Sequence, residues 1–175
     1  MLVADETIVT ETPPLRAAWA RSGQQAAVPI VGSRSKRVMY GVLNIKSGHV
    51  LLHEAATWDQ AQFRHLLGMI RGTWRGWHIV LFLDRGSPHT AKRSQSEARR
   101  LGIELRWLPT ASPELNPMDH LWRHVKGEVL ANEPTPNVAA SAQRAREYIL
   151  NLTPSQRLRK AGVLSERFWL RRAIP

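Results

Sequence analysis

Three acids in the 175-residue chain stand where a carboxylate could act on a bound ligand. Asp5 closes the short apolar run LVAD, Asp84 closes HIVLFLD, and Asp119 follows LNPM at the start of a helical pattern. Each has an ordinary explanation. Asp84 precedes Arg85-Gly86-Ser87-Pro88, a turn-forming sequence. Asp119 can offset a helix dipole by about 0.3–1 kcal/mol, and Asp5 lies near a chain end. Taken together, three carboxylates with no cysteine beside them suit hard, oxygen-preferring cations such as Mg²⁺ or Mn²⁺. Two such ions could activate an attacking oxygen and stabilise a leaving one in an in-line displacement at phosphorus.

That chemistry requires the fold to bring residues 5, 84 and 119 together. KRVMYGVLNI and HVLLHEA are rich in β-branched and aromatic residues, and with PIVG they read as an antiparallel meander over 28–55. Ala61, Phe63, Leu66, Leu67 and Ile70 recur at helical spacing between Trp58 and Trp74. HIVLFLD reads as a strand covered on both faces. TAKRSQSEARRLG reads as a helix with Thr90 as N-cap and Gly102 as its stop. IELRWLP gives a further strand. In LNPMDHLWRHV, Asn116 is a good N-cap, Pro117 suits the first helical position, and Asp119 falls in the first turn. One more helix is expected within 134–152, and the basic tail 157–172 suits a last one. Right-handed crossovers then make strands 2–6, 79–84 and 104–109 parallel neighbours, with the meander on one edge. Ligands of such a sheet gather at the carboxyl ends of the strands, where Asp5 and Asp84 lie.

Charge points the same way. The chain carries 25 Lys and Arg against 14 Asp and Glu, a formal net charge of +11. That balance favours a polyanionic partner, nucleic acid first, or serves solubility alone. Hydrophobic content of 43% and seven Trp fit a packed core. The absence of cysteine excludes a disulfide scaffold and Cys-ligated zinc, and fits a reducing compartment. No apolar run is long enough for a membrane span, and MLVADETIVT does not read as a signal peptide. His120 and His124 have zinc-ligand spacing, but HLWRH lacks the Glu of a zinc protease motif.

LFLDRGSPHTAK and IELRWLPTASPELNPMDHLWRHVK resemble the catalytic domain of the mariner-type superfamily of DDE/DDD transposases, bacterial insertion-sequence members included. The family's second acid ends a strand in a pattern like LDN-x-x-x-H, and its third follows P-x-x-SP-x-LNP-x-(E/D)-x-x-W. Those positions are Asp84 and Asp119, with 34 residues between them. The first acid falls in a strand ending DE, matched by Asp5-Glu6, and Trp19 and Gly23 match a further Trp and Gly. The resemblance spans roughly residues 1–130. It implies an α/β, RNase H-like mixed sheet flanked by helices, with a catalytic domain over 1–133 and a basic helical extension over 134–175 packed on it.

The resemblance also implies catalysis by Asp5, Asp84 and Asp119 holding two Mg²⁺ or Mn²⁺ ions, with Glu6, His89 and Asn116 in support. Cleavage of double-stranded DNA at transposon ends and strand transfer into target DNA would follow. Expected DNA contacts are Arg85, Lys92, Arg93, Lys126, Arg157, Arg159, Lys160, Arg171 and Arg172. A homodimer on DNA in the bacterial cytoplasm, associated with the nucleoid, is expected. The pattern is departed from at Arg85, where Asn is common, and at Asp119, where bacterial relatives use Glu. The chain also begins almost on its first catalytic strand. A helix-turn-helix domain is therefore expected on an upstream polypeptide of a split element, or the chain is a remnant acting as a DNA-binding module.

Overall fold

The computed structural model describes residues 1–30 and 34–171. Five strands form one mixed sheet: β1 (Leu2–Thr10), β2 (Lys36–Asn44), β3 (Val50–Ala55), β4 (Ile79–Leu83) and β5 (Ile103–Trp107). Their order across the sheet is β3-β2-β1-β4-β5. β1 pairs antiparallel with β2 and parallel with β4, and β4 pairs parallel with β5. The expected parallel trio is therefore present. The meander differs from expectation: its strands are β1, β2 and β3, and residues 28–30 form no strand. Residues 11–30 are mostly exposed instead, and Ile30 is half open to solvent. Pro29 and Ile30 find no covered face on which to pair, and the rest of PIVG lies outside the described residues.

Helix α1 (Gln60–Thr73) crosses one face. Asp59 caps it by accepting hydrogen bonds from the Ala61 and Gln62 amides, and Phe63, Leu66, Leu67 and Ile70 are fully buried against Leu2, Ala4, Leu81 and Leu83. Each such side chain contributes about 1.5–3 kcal/mol. On this face also lie α2 (Ser87–Thr90) and α3 (Lys92–Arg100). Thr90 does not cap α3 as expected. It closes α2, and Ala91 in extended backbone separates the two helices. The extra turn follows from Pro88 at the start of α2, where a fixed φ and missing amide suit a helix's first turn. Gly102 does terminate α3, with φ +64°.

The other face carries α4 (Pro117–His124), which continues as a π-helical stretch over Val125–Leu130, then α5 (Val138–Asn151) and α6 (Pro154–Lys160). Met118, Leu121, Trp122, Val125, Ala142, Ala145 and Ile149 share a core with Val3, Val9, Met39 and Leu43. The basic tail forms only α6, followed by turns through residue 171. Gly41 of β2 decides how close α4 can come. A Cβ there would lie 2.4 Å from Met118 Cε and 2.7 Å from Trp122 Cζ2, so any larger residue would have to displace these two side chains of α4. Gly41 pairs with Asp5 across the strands. The absent side chain thus lowers α4 onto the sheet beside the first acid.

Candidate active site

Asp5 and Glu6 are neighbours on β1 and so project to opposite faces. Asp5 shares its face with Val3 and Val9, beneath α4. Asp84 follows the last residue of β4, and Asp119 lies in the first turn of α4. All three line one cleft of about 390 Å³, together with Arg85, Gly86, Asn116 and the loop from Leu108 to Pro113. The start of α4 is fixed twice over by Asn116. Its side-chain oxygen accepts from the Met118 amide at 3.0 Å, and its amide group donates to the Ala4 carbonyl at 3.0 Å. The cap expected from sequence is therefore also a tie to the residue preceding Asp5.

Burial pushes the Asp5 carboxyl up to about 8, helped by the negative charges of Glu6, Asp119 and Asp84. Asp119 Oδ2 is shielded from solvent and makes no aligned hydrogen bond; its company is the Arg123 guanidinium, 2.6 Å away. Asp84 is more open, and its carboxyl is held below the usual range, chiefly by His89.

His89 is buried on the opposite face and bridges two acids. Its Nδ1–H donates to Asp84 Oδ1 and its Nε2–H to Glu6 Oε1, both at 2.8 Å. Two ionised carboxylates can only accept, so both ring nitrogens carry protons and the ring is an imidazolium. Burial works against that charge, but the Asp84 and Glu6 hydrogen bonds and their charges outweigh it and leave the pKa at about 10. Asp84 is further fixed by the Gly86 amide at 3.0 Å.

Three hard oxygen donors in one open cleft, with burial and mutual repulsion holding the Asp5 carboxyl at about 8, fit divalent cations, whose charge would relieve that repulsion. Among the described residues no three acidic or imidazole side chains already close round a single ion. The donor set comes from three separate elements, and Arg123 is the cation now paired with one of them.

The basic residues divide. Arg85, Lys92, Arg93, Lys126, Arg159 and Arg171 are exposed. Lys160 is engaged with Glu128 at 2.9 Å. The reading of Arg157 as a DNA contact is overturned. It is 8% exposed and donates to the carbonyls of Ile149, Leu150 and Gly48 at 2.9, 2.7 and 3.2 Å. Two of these lie in the last turn of α5, whose carbonyls lack partners within the helix. Arg157 is a helix cap supplied from α6. Arg172 lies outside the described residues. His120 and His124 do not form a pair of ligands: His124 is bound to Glu128 at 2.6 Å, and His120 lies against Gly162.

Sequence reasoning missed Arg123, the Glu6–His89 link and Gly41. Arg123 was readable, standing one helical turn after Asp119. The other two are contacts between segments far apart in sequence, which no local spacing reveals.

Comparisons with known proteins agree with this architecture. The DDE superfamily endonuclease profile matches residues 1–140. An insertion element IS630 39 kDa protein of Shigella sonnei is 24% identical over 152 residues, covering 86% of this chain and 44% of that protein. The Tcb2 transposase of Caenorhabditis briggsae is 41% identical over 51 residues, 29% of this chain and 19% of that one. The chain thus spans less than half the length of either relative. Among solved structures, the mariner Mos1 paired-end complex with Mg superposes with a TM-score of 0.75 at 17% identity, covering 98% of this chain and 54% of that one. The Mos1 catalytic domain alone gives 0.66 at 16% identity, covering 95% and 78%. These likenesses establish the RNase H-like fold. No helix among the described residues is long and apolar enough to cross a membrane. With its profile matched over most of its length, the chain belongs to the DDE superfamily endonuclease family.

Proposed function

We propose that the chain is the catalytic domain of a transposase, cutting and joining DNA at phosphodiester bonds, with Asp5, Asp84 and Asp119 as its catalytic acids. The observation that carries this is the convergence of the three on one cleft from β1, the end of β4 and the start of α4. Two Mg²⁺ or Mn²⁺ ions, held by these carboxylates, would supply charge neutralisation at phosphorus and activation of the attacking oxygen. The chain's own residues divide the remaining work. His89 holds the inner oxygen of Asp84, leaving the rest of that carboxylate toward the cleft. Asn116 fixes α4, and Asp119 with it, to β1. Arg85, in the cleft wall, is placed to receive a phosphate oxygen.

In the first reaction water adds at phosphorus and the P–O3′ bond breaks, giving a 3′-hydroxyl and a 5′-phosphate. That hydroxyl then attacks a phosphodiester of target DNA in the same manner. Residues 1–133 form the catalytic unit in this reading, and 134–175 a basic extension. Arg85, Lys92, Arg93, Lys126, Arg159 and Arg171 contact the DNA backbone. The working assembly is a homodimer on transposon ends, completed by a helix-turn-helix partner or domain, in the bacterial cytoplasm. The test is nicking of DNA carrying the element's terminal repeats, with and without Mn²⁺, beside Asp84→Ala. The expected result is metal-dependent nicking lost in the variant. Equal nicking by both proteins removes Asp84 from the site, and failure of Mn²⁺ to bind with DNA present removes the catalytic role.

A further inference from the structure

We infer that Trp58 is a stacking platform for a nucleobase drawn out of its stack beside the phosphate being cut; this rests on the reading of the acidic cleft as a DNA-cutting site. Trp58 stands in the turn between β3 and α1, with 45% of its surface exposed. It stands against Gly86, which lines the cleft. A Cβ on Gly86 would meet Trp58 Cζ2 at 2.9 Å, and Asp84 Oδ1 and His89 Nδ1 at 3.1 Å, so the edge of the indole stands close to the second acid across this glycine. The ring also stands edge-on to His89, with centroids 6.3 Å apart and planes at 87°.

The backbone that carries the indole is held in advance of any ligand. Its neighbour Thr57 accepts a hydrogen bond from the Tyr40 hydroxyl at 3.0 Å through its carbonyl. Its other neighbour, Asp59, is fixed by two helix amides and by the Thr57 hydroxyl at 2.6 Å. The backbone is thus anchored on both sides of Trp58. The Asp59 carboxylate, the nearest negative charge in sequence, is engaged in those bonds. A large aromatic surface on an anchored backbone, left open to water beside carboxylates, is what a base needs in order to stack, and stacking tolerates any base. A nucleotide whose phosphate enters the cleft must leave the regular duplex path, and a protein surface that accepts its base lowers the cost of doing so.

The experiment measures binding by fluorescence anisotropy to a synthetic duplex with a single-stranded overhang. Single abasic nucleotides are placed in turn along the overhang and its junction. Trp58→Ala is expected to weaken binding to the intact probe by roughly fivefold to a hundredfold, and Trp58→Phe by less. At one position the abasic substitution should cost the wild-type protein that same factor and cost Trp58→Ala nothing. A merely structural Trp58 would give no such dependence on the base. Should Trp58→Ala fail to fold, 2-aminopurine at each position reads the same contact in the wild type, where stacking on the indole quenches it at one position. Equal abasic penalties in both proteins, no position-specific quenching, or no DNA binding at all would overturn the inference. Because binding is read without turnover, loss of the Asp84 assignment leaves this result interpretable.

Discussion

Asp5 and Glu6 are adjacent acids on one strand, and the fold treats them oppositely. On the Glu6 face the protein supplies its own cation, the doubly hydrogen-bonded His89. On the Asp5 face burial, with the negative charges of Glu6, Asp119 and Asp84 added to it, raises the carboxyl to about 8. Arg123 is drawn to Asp119 there but stands more than half exposed. One face is electrostatically complete; on the other, Asp5 has no ion pair among the described residues and is left in deficit. The completed half fixes geometry, whereas the deficient half is where a ligand cation gains most from binding.

The largest expected effect comes from breaking the completed half. His89→Ala leaves Glu6 buried without a partner, and unfolding measured in denaturant should show a loss of about 3–5 kcal/mol. DNA nicking, if Asp84 is oriented through His89, should fall about 10–100-fold, the usual cost of losing a group that orients a metal ligand. Pairing this variant with Glu6→Gln sharpens the point, because removal of both charges should recover much of the stability and little of the activity.

Next in size is the deficient half. In metal-free buffer the folded chain keeps a proton on Asp5 up to pH about 8, whereas the unfolded chain gives it up near the ordinary 3.8 of an aspartate. The folded state therefore binds more protons between those values, and its stability falls as pH rises through that window. His89 adds the same sign at higher pH. Its contribution is complete below its ordinary 6.5 and is lost as pH rises through about 10. Asp5→Asn should flatten the lower part of this slope. At neutral pH without divalent ions it should raise the melting temperature by at least about 2–4 °C, the shift that 1 kcal/mol gives in a chain of this size. A melting temperature unchanged by Asp5→Asn would mean that the carboxyl is not in deficit.

The smallest effect concerns Arg123. Its i,i+4 pair with Asp119 is partly exposed and worth about 0.3–0.5 kcal/mol. Calorimetry should show Arg123→Ala binding Mn²⁺ about twofold more tightly, with little change in folding stability. Weaker Mn²⁺ binding in the variant would make Arg123 a support of the site rather than a competitor for it.

The difference between the halves also explains what could be read from sequence. Asp5, Asp84 and Asp119 were legible because each closes an apolar run or opens a capped helix, and the parallel arrangement of β1, β4 and β5 follows from crossover handedness. Asn116 was legible as a cap, since that role is local. Its tie to Ala4 was not, because 112 residues separate the two. The same limit hid the Glu6–His89 bond. Residues 28–30 misled because composition suggests a strand while pairing depends on a covered face. Arg157 misled because charge in a basic tail says nothing about the open carbonyls of α5, which the side chain turns inward to satisfy.

The segment from Pro109 to Leu115 hangs between two fixed posts. Before it, the Leu108 amide is bound to the Leu83 carbonyl at 2.9 Å; after it, Asn116 is fastened to Ala4. A third hold lies within it, where the Trp169 indole donates to the Leu115 carbonyl at 2.9 Å. This stretch of wall is thus held at both ends and at Leu115, so a strand entering between Asp84 and Asp119 meets a surface already in place.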